Sequence, residues 1–351
     1  MRSKKGSLFI VVLFFFYCLH AQVWSIDKAN KWYAAHKWLS GADYIPSNAI
    51  NQLEMWQAAT FSPDLIDKEF TLAENIGFNT MRVFLHSVAW KEDSKGFKER
   101  LDKFLSIAQK HGIEPLFVFF DDCWNKTPKP GEQPDPKPGV HNSGWMQDPG
   151  DPASMNEGNF PELEKYVKDI LITFSHDKRI LGWDLYNEPG GGNKGVKSLP
   201  LLKAIFSWAR SVSPDQPVTA GVWSWSRDLD TLNAFQLANS DIITYHNYSP
   251  PEEHSKVIRF LKALNRPLIC TEYMARTQNS RFANIMPLLK KENIGAINWG
   301  FVEGKTNTIY AWSTPIPDGS QPDEWFHDIF RKDFTPYRKD ETDLIKKLNK
   351  K

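Results

Sequence analysis

An apolar, strand-like run followed by a helix-like segment recurs eight times along this chain of 351 residues, and this alternation constrains the fold more than any other feature. The runs are continuously apolar, as expected when both faces of a parallel sheet are covered. They lie near Trp38 and at residues 80–85, 115–120, 180–186, 217–222, 242–245, 267–271 and 294–299. The helix-like segments lie at residues 63–76, 97–111, 161–174, 201–212, 229–238, 252–264, 281–291 and 341–348. Eight such units favour an α/β fold of the closed (β/α)8 barrel type, a TIM barrel, over an open doubly wound sheet.

Composition is consistent with one large domain over residues 22–351, since no low-complexity linker divides that part of the chain. Apolar residues make up 41% of the chain, which is enough for a large core. The net charge is +1 with both signs interspersed, so there is no basic stripe of the kind that binds nucleic acid. The 14 Trp include candidates for stacking on sugar rings, although most are expected to pack in the core or rim. We expect a monomer.

The first residues have the features of a secretory signal peptide, which we assign to residues 1–21. Residues 2–5 are positively charged, residues 8–19 form an apolar run, and Ala21 offers a small residue for cleavage. The apolar run is too short to span a bilayer, and no later segment is long and apolar enough to do so. We therefore expect export to the periplasm or the extracellular space, with no membrane span.

The sequence contains three cysteines, one in the predicted signal peptide and two in the remainder of the chain. Lipid attachment at Cys18 is the less favoured alternative to export, because residues 16–17 are aromatic and lipidation sites usually have small residues there. Cys123 and Cys270 fall in different β–α units, so we predict free thiols rather than a disulfide.

Two glutamates stand where apolar strands open into loops. The fourth strand leads into Glu188 and the seventh ends at Glu272. The chemistry of such barrels is found at the carboxyl ends of the strands, and strands four and seven face each other across the mouth. A single glutamate in such a place would more often be a structural ion-pair partner. Two facing carboxylates can instead divide the work of cleaving a glycosidic bond, one as acid and the other as nucleophile or base.

The segment Asn187-Glu188-Pro189 resembles the acid/base motif of the retaining barrel glycosidases of clan A, and glycoside hydrolase family 5, with its cellulases and mannanases, is the most similar family. The resemblance extends from about residue 32 to the C-terminus. It implies that Glu188 is the acid/base and that Glu272 is the nucleophile.

The same resemblance implies roles for five neighbouring side chains. The guanidinium of an arginine at the end of strand two would keep the nucleophile ionised, and an Asn would donate to a sugar hydroxyl. A His-x-Tyr pair after strand six would act on the two carboxylates, and a Trp ending strand eight would form the floor under the first sugar. The matching residues are Arg82, Asn187, His246, Tyr248 and Trp299.

The end of strand three departs from the family pattern, because many family 5 cellulases have a His where this chain has Asp121-Asp122. Either aspartate is suited to bind a sugar hydroxyl or to cap the following loop; we include Asp122 among the substrate-binding candidates. Residues 126–161 then form a long loop rich in Pro, Gly and Asp, which acts as either a lid or a fixed wall. Further candidates for sugar contact, or for holding this loop in place, are Trp124, His141 and Trp145.

Other classes of protein are less well supported. A metal-dependent hydrolase would need His-x-His after the first strand or a His-Glu-x-x-His helix, and neither occurs, so we expect no metal and no cofactor. The glycine-rich residues 190–195 lack the Gly-Lys-Ser/Thr ending of a phosphate-binding loop. A catalytically silent carbohydrate-binding barrel is the remaining alternative, but both glutamates are present.

We therefore expect a secreted retaining β-glycoside hydrolase that acts by double displacement on β-linked poly- or oligosaccharides. An open cleft would indicate an endo-acting hemicellulase or glucanase, which is the preferred hypothesis. A pocket closed by residues 126–161 and by the Trp-, Tyr- and Pro-rich residues 301–323 would indicate an exo-acting enzyme of the galactosidase or mannosidase type.

Overall fold

Eight parallel strands form the centre of the protein in a computed structural model, which describes residues 22–350. They are β1 (Ser40–Tyr44), β2 (Thr80–Phe84), β3 (Glu114–Asp121), β4 (Gly182–Asn187), β5 (Val218–Thr219), β6 (Ile243–His246), β7 (Leu268–Glu272) and β8 (Gly295–Asn298). Their order is β5-β4-β3-β2-β1-β8-β7-β6. A parallel bridge between Val222 and Tyr245 closes the sheet between β5 and β6. The predicted (β/α)8 barrel is confirmed.

Helices surround the barrel. They are α1 (Ile26–Ala34), α2 (Gln52–Trp56), α3 (Pro63–Ile76), α4 (Ser87–Glu92), α5 (Ser94–Lys110), α6 (Asp151–Ser154), α7 (Phe160–Phe174), α8 (Leu199–Val212), α9 (Asp230–Asn239), α10 (Pro251–Lys262), α11 (Phe282–Lys291) and α12 (Lys339–Asn349). The eight predicted helices correspond to α3, α5 and α7–α12. The sequence analysis missed α1, α2, α4 and α6, because each has too few turns to display a helical period.

Most strand residues are buried, because one side of each strand faces the barrel interior and the other faces the helices. Large aromatic side chains fill the layer between strands and helices, for example Phe104 against Phe117, with ring centroids 6.0 Å apart. The amino-terminal end of the barrel is filled by Leu116, Ile242, Ile269 and Ile297 and covered by the α1 region. The opposite, carboxyl-terminal end carries the cavity at which the predicted site residues meet.

The loop of residues 126–161 and the segment of residues 301–323 cross the carboxyl-terminal end of the barrel. They contain little regular structure, yet main-chain bridges hold the base of the loop, between Asp121 and Asp148 and between Asn125 and Met146.

Cys123 and Cys270 are free thiols, as predicted. Within residues 22–350, each helix is too short or too polar to cross a bilayer. The predicted signal peptide and Cys18 lie outside the described residues.

Candidate active site

The carboxyl ends of the strands surround a cavity of about 420 Å³. Strand β4 and its loop contribute Asn187 and Glu188, β7 contributes Glu272, and β6 contributes His246. The cavity is lined by Cys123, Trp124, His141, Asn142, Trp145, Asn187, Glu188, Gly191, Gly192, Trp223, His246, Tyr248, Glu272, Trp299 and Trp312. The fold therefore brings most of the sequence-predicted site residues to one rim, while Arg82 lies just below Glu272 and Asp122 lies elsewhere.

Glu188 has left-handed backbone geometry, with φ of 45°, which is uncommon for a residue other than glycine. Its carboxylate contacts two side chains: His246 Nδ1 lies 2.9 Å from Oε1, and the Cys123 thiol donates to Oε2 at 3.0 Å. Burial raises the pKa of Glu188, while the thiol hydrogen bond and the charge of Arg82 act in the opposite direction. The net result is a raised pKa, which suits a carboxyl group that donates a proton.

Both oxygens of Glu272 are held. Arg82 Nη1 donates to Oε1 at 3.0 Å, and the Tyr248 hydroxyl donates to Oε2 at 2.7 Å. Burial raises the pKa of Glu272 and the charge of Glu188 adds to this, whereas His246, Arg82 and the Tyr248 hydrogen bond oppose it. A guanidinium and a phenol that both donate to one carboxylate keep it in a single orientation.

Glu188 and Glu272 offer oxygen atoms that lie within 4.8 Å of each other. Retaining glycosidases have carboxyl groups about 5–5.5 Å apart, whereas inverting enzymes need roughly 6.5–9.5 Å to admit a water molecule. The spacing here is that of direct attack on the sugar by one carboxylate.

Arg82 is fully buried and organises the lower part of the site. Beyond Glu272, it donates to Asp43 Oδ1 at 2.9 Å, to Asp184 Oδ2 at 2.9 Å and to the Asn187 side-chain oxygen at 2.7 Å. Several carboxylates around one guanidinium satisfy a charge that would otherwise be costly to bury. The sequence analysis missed Asp43 and Asp184; the signal was an acidic residue inside an otherwise apolar strand.

His246 is neutral near pH 7, because burial lowers its pKa to about 4. Its Nδ1 also lies 3.5 Å from Glu272 Oε2. Glu188, His246 and Glu272 each offer a metal-ligating atom within 4.8 Å of the others. A cation bound there would face the permanent positive charge of Arg82, which lies 3.0 Å from Glu272.

Trp299 lies at the floor of the cavity, packed edge-on against Trp145 with ring centroids 5.3 Å apart and against Phe84 at 5.9 Å. The indole nitrogen of Trp145 donates to Asp121 Oδ2 at 2.7 Å, which fixes the orientation of that ring. Asp121 also accepts from Asn187 Nδ2 at 2.9 Å. It therefore links the aromatic floor to the strand that carries Glu188.

Two half-exposed tryptophans flank the mouth of the cavity. The Trp124 ring lies 5.4 Å from that of His141, and the Trp312 ring lies 4.7 Å from that of Tyr248. Trp312 and the lining residue Trp223 were missed by the sequence analysis. Both lie in aromatic-rich loops after strands, which is the signal that identified Trp124.

Asp122 is not among the residues that line the cavity, and its buried position does not support the predicted contact with sugar. Its side chain is fully buried and accepts from Lys194 Nζ at 2.6 Å, Ser198 Oγ at 2.6 Å, the Tyr186 hydroxyl at 2.8 Å and the amide of Gly190 at 2.9 Å. Asp122 therefore anchors the glycine-rich loop after β4, rather than the loop that follows β3.

A (β/α)8 barrel with two closely spaced glutamates at the ends of β4 and β7 is the architecture of a barrel glycoside hydrolase. The chain belongs to glycosyl hydrolase family 5: the family described as "Cellulase (glycosyl hydrolase family 5)" matches residues 47–304. It is thus a retaining O-glycosyl hydrolase. No curated protein sequence matches it.

Several solved structures share the fold. An endo-beta-1,4-mannanase from Thermotoga petrophila is 18% identical with a TM-score of 0.56, and the match covers 88% of this chain and 76% of that one. GH5_18 from Streptomyces cattleya in complex with GlcNAc is 11% identical with a TM-score of 0.62, covering 89% and 80%. The exo-beta-1,4-mannosidase Op5Man5 from Opitutaceae bacterium strain TAV5 is 14% identical with a TM-score of 0.61, covering 89% and 59%.

Proposed function

We propose that this protein is an exo-acting retaining β-glycosidase that removes a neutral terminal sugar from β-linked oligosaccharides, with Glu188 as acid/base and Glu272 as nucleophile. The observation that carries the exo assignment is the hydrogen-bonded junction between the loop of residues 126–161 and the segment of residues 301–323. We infer that this junction blocks one end of the cavity, because His141, Asn142 and Trp312 of the two segments are among the lining residues.

The junction consists of main-chain and side-chain hydrogen bonds between distant parts of the chain. Asn142 N donates to Thr306 O at 2.8 Å, His141 Nδ1 lies 2.8 Å from Tyr310 O, and Ile316 N donates to Gly139 O at 3.1 Å. Two residues that follow β1 also bond to this loop: Asn51 Nδ2 donates to Gly144 O at 2.9 Å, and Gln52 Nε2 donates to Met146 O at 3.0 Å. This number of bonds supports a fixed wall rather than a lid.

The wall lies on the side of β1, because Asn51 and Gln52, which follow β1, bond to its loop at Gly144 and Met146. The other side, beyond Glu188, is bordered by Gly191, Gly192 and Trp223. The acid must stand beside the leaving group, so the departing part of the substrate lies on the Glu188 side and the terminal sugar lies against the wall. The open cleft of our preferred endo hypothesis is less well supported.

In the first step, a Glu272 oxygen attacks the anomeric carbon while the glycosidic C–O bond breaks. Glu188 gives its proton to the departing oxygen, and a glycosyl ester forms on Glu272. Arg82 and Tyr248 hold the attacking carboxylate in line.

In the second step, the ionised Glu188 takes a proton from water as the water oxygen attacks the same carbon. The ester bond breaks, Glu272 leaves as a carboxylate, and the sugar is released with its original β configuration. Esterification has removed the charge of Glu272, which lowers the pKa of Glu188 and suits it to act as a base.

β-1,4-Linked mannosides are the first substrates to test, because the structural neighbours include an exo-beta-1,4-mannosidase and an endo-beta-1,4-mannanase. Oligosaccharides labelled at the reducing end should lose one sugar at a time from the other end. The first product should have the β configuration by NMR. Early release of oligosaccharides from internal linkages would contradict exo action, and an α product would contradict the two-step mechanism.

We further propose that the enzyme is exported after removal of residues 1–21 and that residues 22–351 act as a monomeric single-domain catalyst. N-terminal sequencing of the secreted protein should start at Gln22, and light scattering should give a mass close to that of one chain. Retention of residues 1–21, or a multiple of the chain mass, would contradict these proposals.

A further inference from the structure

His141 and Asn142 are consecutive residues of the wall that line the cavity, and each has a side-chain polar atom without a hydrogen-bond partner among the described residues. Both residues line the cavity, and each is at most 2% exposed. The Asn142 side-chain oxygen has no hydrogen-bond partner among the described residues. Within residues 22–350, the His141 ring is bonded only through Nδ1. A buried polar group without a partner is costly, and a ligand hydroxyl would satisfy it.

The environment of His141 fixes its tautomer. Nδ1 lies 2.8 Å from the carbonyl oxygen of Tyr310, and because a carbonyl can only accept, Nδ1 must carry the hydrogen. Burial lowers the pKa of His141 to about 4, so the ring is neutral near pH 7. Nε2 is then a lone-pair acceptor, and it suits the hydroxyl hydrogen of a sugar.

Asn142 adds a complementary group. Its backbone φ is 46°, which Asn tolerates better than most residues, and its amide N–H donates to Thr306 O at 2.8 Å. The side-chain amide offers both a donor and an acceptor. One imidazole acceptor beside one amide matches neighbouring hydroxyls on a sugar ring.

The charges around the cavity disfavour a negatively charged substrate. Its lining residues within the described part of the chain include two glutamates and no lysine or arginine, so an acidic terminal sugar would be repelled. We propose that His141 and Asn142 form hydrogen bonds with hydroxyls of an uncharged, unsubstituted terminal sugar. These bonds would determine substrate specificity at the closed end of the cavity. This inference rests on the proposed exo function.

The experiment compares aryl β-glycosides of the accepted sugar with their 3-, 4- and 6-deoxy analogues. In the natural enzyme, one missing hydroxyl should lower kcat/KM by ~10- to 100-fold, because the His141 Nε2 acceptor then loses its partner in the bound complex. In His141→Asn, the side-chain amide retains a donor for Tyr310 O but lacks the Nε2 acceptor. In this variant the loss of kcat/KM caused by removing that one hydroxyl should fall to about threefold or less, because the hydroxyl no longer has a specific acceptor.

Asn142→Gly removes the second group without adding backbone strain at positive φ, and it should reduce the penalty at an adjacent position. His176→Ala, at an exposed site in contact with Asp215, is the matched control and should leave all ratios unchanged. Unchanged deoxy penalties in a folded His141→Asn protein would overturn the inference. Aryl glycosides are cleaved by endo and exo enzymes alike, so internal cleavage of oligosaccharides would refute only the exo proposal.

Discussion

Glu188 and Glu272 have different hydrogen-bond partners, and this difference supports the roles that we propose for them. Glu272 accepts from a permanent cation and a phenol, whereas Glu188 contacts a neutral imidazole and a thiol. We predict that Glu188→Ala slows cleavage of poor leaving groups by about 10²- to 10⁴-fold, the usual contribution of a general acid. The leaving oxygen of an activated aryl glycoside needs little protonation, so the rate of glycosidic bond cleavage for these substrates should fall far less.

In the same Glu188→Ala variant, azide should replace the water that Glu188 no longer activates and give a β-glycosyl azide. The measurements are kcat/KM across leaving groups and product NMR with azide. An equal loss for all leaving groups, without azide rescue, would contradict the acid/base role.

Cys123 is the residue whose importance was least apparent from the sequence. Its thiol donates to Glu188 Oε2 at 3.0 Å, and this hydrogen bond lowers the pKa of Glu188. Removing the donor in Cys123→Ala should therefore raise that pKa. Glu188 must be protonated in the first step, so activity is lost as pH rises through its pKa, and the alkaline limb of kcat/KM should move to higher pH. Cys123→Ser keeps a donor and is the control; a limb that moves to lower pH in Cys123→Ala would refute the effect.

At the scale of elements, the wall depends on close packing at Gly139. It has φ of 67°, and a Cβ there would lie 1.7 Å from the carbonyl oxygen of Ile316. Gly131, in the same loop, has φ of 93°, and a Cβ there would have no neighbouring atom within 4 Å. Either Gly→Ala change costs about 1–2 kcal/mol of left-handed strain, but only Gly139→Ala also displaces residue 316.

We predict that Gly139→Ala loosens the wall and lowers kcat/KM on aryl glycosides by up to ~10-fold, the equivalent of about one lost hydrogen bond. Gly131→Ala should remain close to the natural enzyme in kcat/KM. Gly139→Ala should also have the lower thermal stability, because its contact with Ile316 adds to the backbone strain that both variants share. Equal kinetics in both variants would show that the junction does not shape the site.

For the whole molecule, closure of the barrel depends on side chains where the strand ladder is weakest. Strand β5 has only two residues. The amide of Val218, at its start, donates to the side chain of Asp241 at 2.9 Å instead of to a neighbouring strand. The same carboxylate accepts from Arg210 at 2.8 and 2.9 Å and from the amide of Trp24 at 2.7 Å. It thus joins β5, α8 and the N-terminal segment.

Asp241→Ala should lower the free energy of unfolding by about 3–5 kcal/mol, because it leaves the charge of Arg210 and two main-chain amides without partners. Amides of residues 218–222 should then exchange faster with deuterium than those of β3. Asp27→Ala, which breaks an exposed pair with Lys31, should change stability by no more than about 0.5 kcal/mol. Comparable losses from both changes in denaturant unfolding would contradict the role of Asp241.

The sequence by itself determined the barrel and the strand ends that carry Glu188 and Glu272. Periodic burial and main-chain hydrogen bonding are local properties, so eight apolar runs and eight helical segments can be read directly from the order of residues. Glycine and proline at helix ends added the boundaries, as at Pro63 and Gly77 of α3.

Only the tertiary structure decided which polar groups meet. Asp121 and Asp122 are neighbours in sequence, yet one supports the aromatic floor and the other binds Lys194 outside the cavity. The path of the loop of residues 126–161 likewise brings His141 to Tyr310, 169 positions further along the chain. Such contacts depend on how irregular segments pack against a finished barrel, and no local period encodes that packing.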